Sequence, residues 1–257
     1  MFAKPAAPEN IGQVLDGTFR LTVAAFPKIW WIAVLSAFSS YPSTLYQFAN
    51  VDTIEAAAVA PQDWIYWTLT IVGAVVSMVC LAAVYRRMDD VASNQPAAVN
   101  TLSYSIARGP MLFLVLLMYV VACFVGTLLL IVPGLIVMVS LVLCIPVCLF
   151  EQRGPFASLT TSHRLVWGHW WRTAALFGIG GLIVLVLYFV VGIVASVVAV
   201  MFSGQLTLVG VIVSTAIVGL VIGVLAGPFL TSLSMNVYWD LKLRKEGGDL
   251  AARIQAA

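Results

Sequence analysis

Residues 111–150 read MLFLVLLMYV VACFVGTLLL IVPGLIVMVS LVLCIPVCLF, and no residue in this stretch carries a charge. One helix of about 20 apolar residues crosses the hydrocarbon core of a bilayer. Because the stretch is about twice that long, it predicts two membrane spans joined by a tight reversal. The predicted reversal is Pro133-Gly134, since proline disfavours helix in the residue before it and glycine accepts a positive φ.

The composition of the whole chain points to the same class of protein. Hydrophobic residues make up 62% of the chain and charged residues 9%, and the mean hydropathy is +1.04. Soluble domains carry about 25% charged residues, so a soluble globular fold is excluded. The four cysteines all lie in apolar stretches, and no disulfide framework is predicted. No signal peptide is expected, since the N-terminus lacks a compact apolar region with a cleavage site.

Hydropathy and periodicity along the chain predict an all-α fold, a polytopic membrane helical bundle in one integral membrane domain, residues 1–257. Six transmembrane helices form three hairpins, each preceded by an amphipathic interfacial helix on the cytoplasmic side. The predicted interfacial segments are 10–26, 96–109 and 155–170. The predicted spans are 29–48, 64–85, 111–131, 134–150, 173–202 and 206–239. A charged cytoplasmic tail is predicted for 240–257.

Local signals support helical starts in the interfacial segments. Asn10 followed by Gln13 three residues later predicts a capping box, and Asp16 and Arg20 are spaced for an ion pair on one helix face. Pro155 suits a first helical position. A soluble lead-in helix packed on the bundle is the alternative for the segment 10–26.

The distribution of positive charge predicts the orientation. With six spans and both termini on one side, all 13 basic residues fall on that side, and the three opposite loops hold none. The positive-inside rule makes that side cytoplasmic. The sequence therefore predicts a multi-pass protein of the bacterial inner membrane with both termini in the cytoplasm.

The predicted spans contain few side chains that could take part in catalysis, ion coupling or metal binding. No Asp, Glu, Lys, Arg or His lies within a span core, which argues against an ion-coupled pump. Cys144 and Cys148 share a helix face and could bind a soft metal, but buried free cysteines usually pack as small hydrophobic residues. His163 and His169 are spaced for different helix faces, and no hydrolytic motif is present. We therefore expect no catalytic residue, no metal site, no cofactor and no enzyme activity.

Small residues in the last two spans predict close helix packing. Gly219, Gly223 and Gly227 form overlapping G-x-x-x-G steps, a spacing that lets helix backbones approach each other. The glycines at 178, 180 and 181 are the expected internal partner, and homodimerisation through the same stripe is the alternative. Pro133 and Gly134 are the corresponding packing residues in the third and fourth spans.

The second half of the chain also resembles a known family. Residues 127–172 match an L-I-V-P-G hairpin, a P-x-x-x-x-E exit and an A-L-x-x-S-x-x-L-v-x-G-x-x-W-R segment at Pro133, Gly134, Pro146, Glu151, Ala157, Leu159, Ser162, Leu165, Gly168, Trp171 and Arg172. The family is the membrane domain attached to some glycerophosphoryl diester phosphodiesterases, with stand-alone YciC-like bacterial inner-membrane proteins. The ending VYWDLKLRKEGGDL is similar to the Y-Y-D-L-R-x-R-x-E-G-x-D-L ending of those relatives. The resemblance implies fold and topology, whereas the phosphodiesterase activity belongs to a soluble barrel domain not expected here.

The leading functional hypothesis is a non-enzymatic membrane protein that binds lipid or a partner protein, in a scaffold or membrane-homeostasis role. Anionic headgroups attract basic residues flanked by interfacial aromatics. The candidate contacts are Arg20, Trp30, Trp31, Arg108, Glu151, Arg164, Trp170, Trp171 and Arg172. The expected partners are membrane lipids, with a protein partner or a homo-oligomer as further possibilities and no nucleic acid. The alternative is a passive transporter or permease subunit for a lipid-like or small amphipathic solute, with a cavity lined by Ser36, Ser39, Ser40, Thr44, Ser77 and Ser214.

Overall fold

The structure, a computed structural model, describes residues 4–49, 63–96, 100–203 and 208–256. These residues form helices without a strand among them. In chain order the helices are α1 (Ile11–Phe38), α2 (Tyr41–Ala49), α3 (Trp64–Ala92), α4 (Thr101–Leu129), α5 (Ile131–Leu141), α6 (Cys144–Phe150), α7 (Pro155–Val166), α8 (Trp170–Ser203) and α9 (Leu208–Ala256).

Within the described residues, six helical stretches are long and apolar enough to cross a membrane. Many of their large apolar side chains stay exposed, which suits lipid rather than water as the surrounding solvent. The predicted all-α, polytopic bundle is thereby confirmed. The six stretches are Ile11–Tyr46, Trp64–Ala92, Thr101–Leu129, Ile131–Phe150, Trp170–Val198 and Ser214–Lys245.

The structure differs from the prediction in how the first two interfacial segments connect to their spans. Helix α1 continues through Pro27 and helix α4 through Pro110, so residues 11–26 and 101–109 are continuous with the spans that follow them. Residues 97–99 of the second predicted segment lie outside the described residues. A proline removes one backbone hydrogen bond, and buried residues on both sides of it, such as Ala25 and Ile29 in α1, hold the helix together. The third segment does form its own helix, α7, because Gly168 adopts φ +95° before α8 begins.

The reversal in the apolar stretch is correctly predicted to exist, but it lies at Leu130 rather than at Pro133-Gly134. Leu130 has extended backbone between α4 and α5, whereas Pro133 occupies the first turn of α5. Gly134 is needed for helix packing instead of for the turn. A Cβ atom at Gly134 would lie 2.8 Å from the Cα atom of Thr127, closer than atoms in real structures approach.

The second arm of this hairpin is itself broken into α5 and α6 by a turn at residues 142–143. Pro146 stands in the first turn of α6, where its missing N–H costs no helical bond. Cys144 and Cys148 are buried there with Val115 and Leu159. Both thiols thus belong to an apolar core, as the packing alternative for these cysteines predicts.

Helix α9 is the centre of the bundle. It packs most extensively against α1 and α8 and also contacts α3, α6 and α7. The hydroxyl of Ser232 donates to the Thr18 carbonyl of α1 at 2.9 Å, and Ser234 pairs with Tyr85 of α3 at 2.5 Å. Leu233 and Met235 are fully buried in two different core clusters. These contacts fix the position of the residues that follow on α9, where the polar side chains gather.

Candidate functional site

One end of the bundle, called the basic end below, gathers charged side chains from distant parts of the sequence. Residues 238–245 of α9 meet the N-terminal segment, the end of α3, the α6–α7 connection, and helices α7 and α8. Helix α9 continues without a break through this region. Residues assigned from the sequence to a soluble tail are therefore the organising part of the basic end.

Asp240 is the most deeply buried charge at the basic end. Its fully buried carboxylate pairs with Arg172 at 2.9 Å and with Arg244 at 3.1 Å, and it accepts a hydrogen bond from the Glu9 backbone N–H at 2.9 Å. Both arginines also donate to the Glu9 carbonyl oxygen at 2.5 Å. The network therefore ties the N-terminal segment, α8 and α9 together.

Burial and the charges around Asp240 shift the pKa values of two neighbouring groups, Glu9 and His169. Burial raises the pKa of Glu9, and the negative charge of Asp240 adds to that rise. Burial lowers the pKa of His169, as do the positive charges of Arg244, Lys245 and Arg172. The imidazole of His169 is therefore kept neutral in its cationic surroundings.

Glu151 organises a second network at the exit of α6. Of the two partners that the sequence leaves open for its carboxylate, Arg153 and Arg164, the structure shows Arg153 at 2.7 Å, and the carboxylate also accepts a hydrogen bond from Tyr238 at 2.8 Å. Lys242 stands 3.5 Å away. Burial opposes the charge of Glu151, but the Tyr238 hydrogen bond and the charges of Lys242 and Arg153 outweigh it, so the pKa is lowered.

Beside this network lies a shallow cavity of about 300 Å³. Four cationic side chains line it, and Glu151 is the one carboxylate among its described lining residues. Lys245 donates to the Arg164 carbonyl oxygen and so links α9 to α7. We call the four cations the basic surface: Arg153, Arg164, Lys242 and Lys245.

A second cavity of about 320 Å³ opens on another side of Lys242. Tyr104 of α4 and Trp239 of α9 are among its walls, and Arg86 of α3 and Lys4 of the N-terminal segment line it as well. We call it the aromatic cavity. Cationic and aromatic side chains at one concave site suit a ligand with a negative group and an apolar or planar part.

The structure brings some of the predicted contact residues together and separates others. Glu151 and Arg164 line the same cavity, whereas Arg172 lies in the Asp240 network, where its guanidinium is occupied. Arg20 forms the predicted exposed pair with Asp16 at 2.9 Å.

The remaining predicted contacts lie along the sides of the bundle. Trp30 and Trp31 are half exposed on α1, and Arg108 is half-buried on α4. Trp171 is largely exposed and packs edge-on against Trp170, whose indole N–H donates to the Ile136 carbonyl at 3.3 Å. None of these four tryptophans lines the basic surface or the aromatic cavity.

Sequence reasoning missed most of the residues that α9 contributes. Tyr238 and Lys242 are four residues apart, as are Asp240 and Arg244, and both pairs are in contact. That spacing is a signal that two side chains share a helix face, but the prediction places the residues from 240 onward in a tail and so does not connect them to the bundle. Arg86 and Asp90 of α3 have the same spacing, whereas Lys4 carries no such local signal.

At the other end of α9, a groove of about 450 Å³ lies between α9 and the α1–α2 region. Its hydroxyl-bearing lining includes Ser36, Ser40 and Thr44, three of the residues that the transporter hypothesis names. Ser39 and Ser77 instead bond to each other at 2.6 Å between α1 and α3. We call this space the hydroxyl groove.

The glycine stripe of α9 faces the hydroxyl groove and not the glycines of α8. A Cβ atom at Gly223 would lie 2.9 Å from that of Ala37 in α1, and one at Gly219 would lie 3.2 Å from the Tyr41 hydroxyl. Gly180 of α8 instead approaches Leu233. The stripe therefore packs against α1 and α2 instead of against its expected internal partner.

Comparisons with family models, curated proteins and solved structures gave no match to this chain. The resemblance to the phosphodiesterase-associated membrane domain therefore stays a prediction from sequence motifs. Across the described residues, no three His, Cys, Asp or Glu side chains are grouped in a way that could hold a metal ion. The basic surface, the aromatic cavity and the hydroxyl groove are the features on which a function can be argued.

Proposed function

We propose that this chain is a non-enzymatic protein of the bacterial inner membrane that binds anionic lipid headgroups at its basic surface. The observation that carries the proposal is the convergence of four cations from the α6–α7 connection, α7 and α9 on one cavity. Basic side chains near an anionic membrane surface each contribute about 1 kcal/mol to association. A phosphate group also accepts charge-assisted hydrogen bonds from arginine and lysine.

The position of the basic surface supports a lipid as its ligand. Arg164 lies on α7 next to His163 in the sequence. The ring centres of His163 and the exposed Trp167 are 5.0 Å apart. Tryptophan is enriched where hydrocarbon meets headgroups. A lipid whose phosphate lies at Arg164 would have its acyl chains along this aromatic edge.

The ion pairs of the two carboxylates favour a binding role over a catalytic one. Glu151 and Asp240 are each paired with two cations, so neither carboxylate is free to act on a substrate. Their geometry suits holding the basic end together. A protein partner or a second copy of the chain could use the same charged surface, and the experiment below separates these cases.

The test is binding of short-chain phosphatidylglycerol to the purified full-length protein, followed by native mass spectrometry. We expect Arg164→Gln to weaken binding about fivefold, since one charge near the headgroup contributes about 1 kcal/mol, and the further change Lys245→Gln to weaken it again. Arg20→Gln is the matched control, because it removes one exposed charge that is already paired with Asp16. Equal binding by the wild type and the double variant would contradict the proposal. A stoichiometric second protein would favour the partner role instead.

The hydroxyl groove favours a second candidate function, passive movement of a small amphipathic solute. Hydroxyl groups and a glycine stripe without side chains line this groove, so it offers both polar and apolar surface to an amphipathic solute. Gly219→Leu would fill the groove while leaving the basic surface unchanged. A solute flux into proteoliposomes that this substitution abolishes would support transport, and a flux equal to that of protein-free liposomes would exclude it.

A further inference from the structure

We infer that the aromatic cavity is a second binding site, for a phosphate ester, which shares Lys242 with the basic surface. The cavity has a volume of about 320 Å³, which is enough for a small organic phosphate. Arg86, Lys4 and Lys242 line it against Asp89, the one carboxylate among its described lining residues. Among these lining residues the three cations outnumber the one carboxylate, which favours an anion. Such an anion competes with Glu151 for Lys242 and with Asp90 for Arg86.

Arg86 is the residue best placed to recognise the phosphate. It reaches the cavity from the last turns of α3, and its guanidinium lies over the Tyr104 ring, 5.5 Å from the ring centre. Its Nε atom is 3.8 Å from Asp90, which is longer than a hydrogen bond. A cation over an aromatic ring is attracted by that ring, and the planar fork of a guanidinium matches two phosphate oxygens.

The ion pair between Lys4 and Asp89 reduces the positive charge that the cavity offers to a ligand. The Lys4 ammonium is 2.7 Å from Asp89 and also lies over the Trp239 ring at 5.2 Å. An incoming phosphate competes with Asp89 for Lys4. The Asp89 carboxylate therefore opposes anion binding, both by its own charge and by holding Lys4.

The aromatic walls determine which part of the ligand lies beside the phosphate. Tyr104, Phe150 and Trp239 are among its lining residues, and their apolar ring atoms suit the carbon portion of an ester. Two sources share this chemistry, namely the headgroup of a phospholipid and a water-soluble phosphate ester. The experiment distinguishes them.

The test is calorimetric titration of glycerol 3-phosphate into the full-length protein in nanodiscs of phosphatidylcholine, repeated with phosphatidic acid in the nanodisc. Saturable binding in both kinds of nanodisc identifies a soluble ester as the ligand. Binding that phosphatidic acid competes away identifies a lipid headgroup. If glycerol 3-phosphate does not bind and phosphatidic acid binds equally to the wild type and Arg86→Gln, the inference is overturned.

Two substitutions with opposite expected effects make the test independent of folding defects. Arg86→Gln should weaken binding about tenfold or more, because it removes a charge-assisted hydrogen bond, whereas Asp89→Asn should strengthen it several-fold. Arg86→Lys, which keeps the charge but loses the fork, should fall between the wild type and Arg86→Gln. A merely structural role for these residues predicts weaker binding in all three variants, which would contradict the inference.

Arg164→Gln separates this inference from the proposed function, since Arg164 lines only the basic surface. We expect Arg164→Gln to leave glycerol 3-phosphate binding unchanged. If Arg164→Gln left phosphatidylglycerol binding unchanged while Arg86→Gln still weakened glycerol 3-phosphate binding, only the proposed function would be refuted. The reverse pattern would refute only the second site.

Discussion

Asp240 shows how a single buried charge organises the basic end. Its carboxylate is fully buried between Arg172 and Arg244, and it also fixes the Glu9 backbone. Removing one partner from a buried charge network leaves the others without compensation, at a cost of about 3–5 kcal/mol. We expect Asp240→Ala to lower the free energy of unfolding by that amount, measured by denaturant titration in detergent.

Asp16→Ala is the control for Asp240→Ala, because Asp16 also pairs with an arginine four residues away but is 58% exposed. Exposed pairs contribute about 0.2–1 kcal/mol, so this variant should unfold almost as the wild type does. Similar losses in the two variants would mean that the Asp240 network is solvated and does not hold α8 and α9 together.

Gly134 shows how the packing of a helix pair depends on one position. The α4–α5 hairpin brings Gly134 against the backbone of Thr127, with no room for a Cβ atom. Gly134→Ala should therefore push the two helices apart at a cost of about 1–3 kcal/mol, seen as a lower thermal unfolding temperature. Gly178→Ala, which meets open space in α8, should be neutral or slightly stabilising. An unchanged unfolding temperature in Gly134→Ala would contradict the close helix contact.

Contacts within one helical turn could be predicted from the sequence, whereas contacts between helices could not. The Asn10–Gln13 capping box, the Asp16–Arg20 pair and Pro155 at the start of α7 are confirmed, because each depends on neighbours within one turn. The continuation of α1 and α4 through their prolines depends on packing against other helices, which local propensity does not contain. For the same reason, the ion pair between Arg172 and Asp240 could not be predicted from the sequence, because it joins two different helices.

The whole molecule is organised by the length of α9. The helix has 49 residues, and at 1.5 Å per residue it is about 70 Å long, more than twice the hydrocarbon thickness of a bilayer. It therefore lines the hydroxyl groove, crosses the buried core and supplies Lys242, Arg244 and Lys245 to the basic end as one continuous element. Hydropathy predicts only its apolar part, so the sequence-based boundary at 239 separates residues that act together.

The orientation of the bundle is the prediction that belongs to the whole molecule. Because all the basic residues fall on one predicted side, we expect the basic end and both termini to lie in the cytoplasm. A membrane-impermeant maleimide should label Thr53→Cys, in the predicted loop between the first two spans, in intact spheroplasts, and Ala7→Cys only after permeabilisation. The wild type is the control, since Cys80, Cys144 and Cys148 are buried and Cys123 lies within α4. Labelling of Ala7→Cys in intact spheroplasts would place the basic end outside and remove the basis for binding cytoplasmic-leaflet lipids.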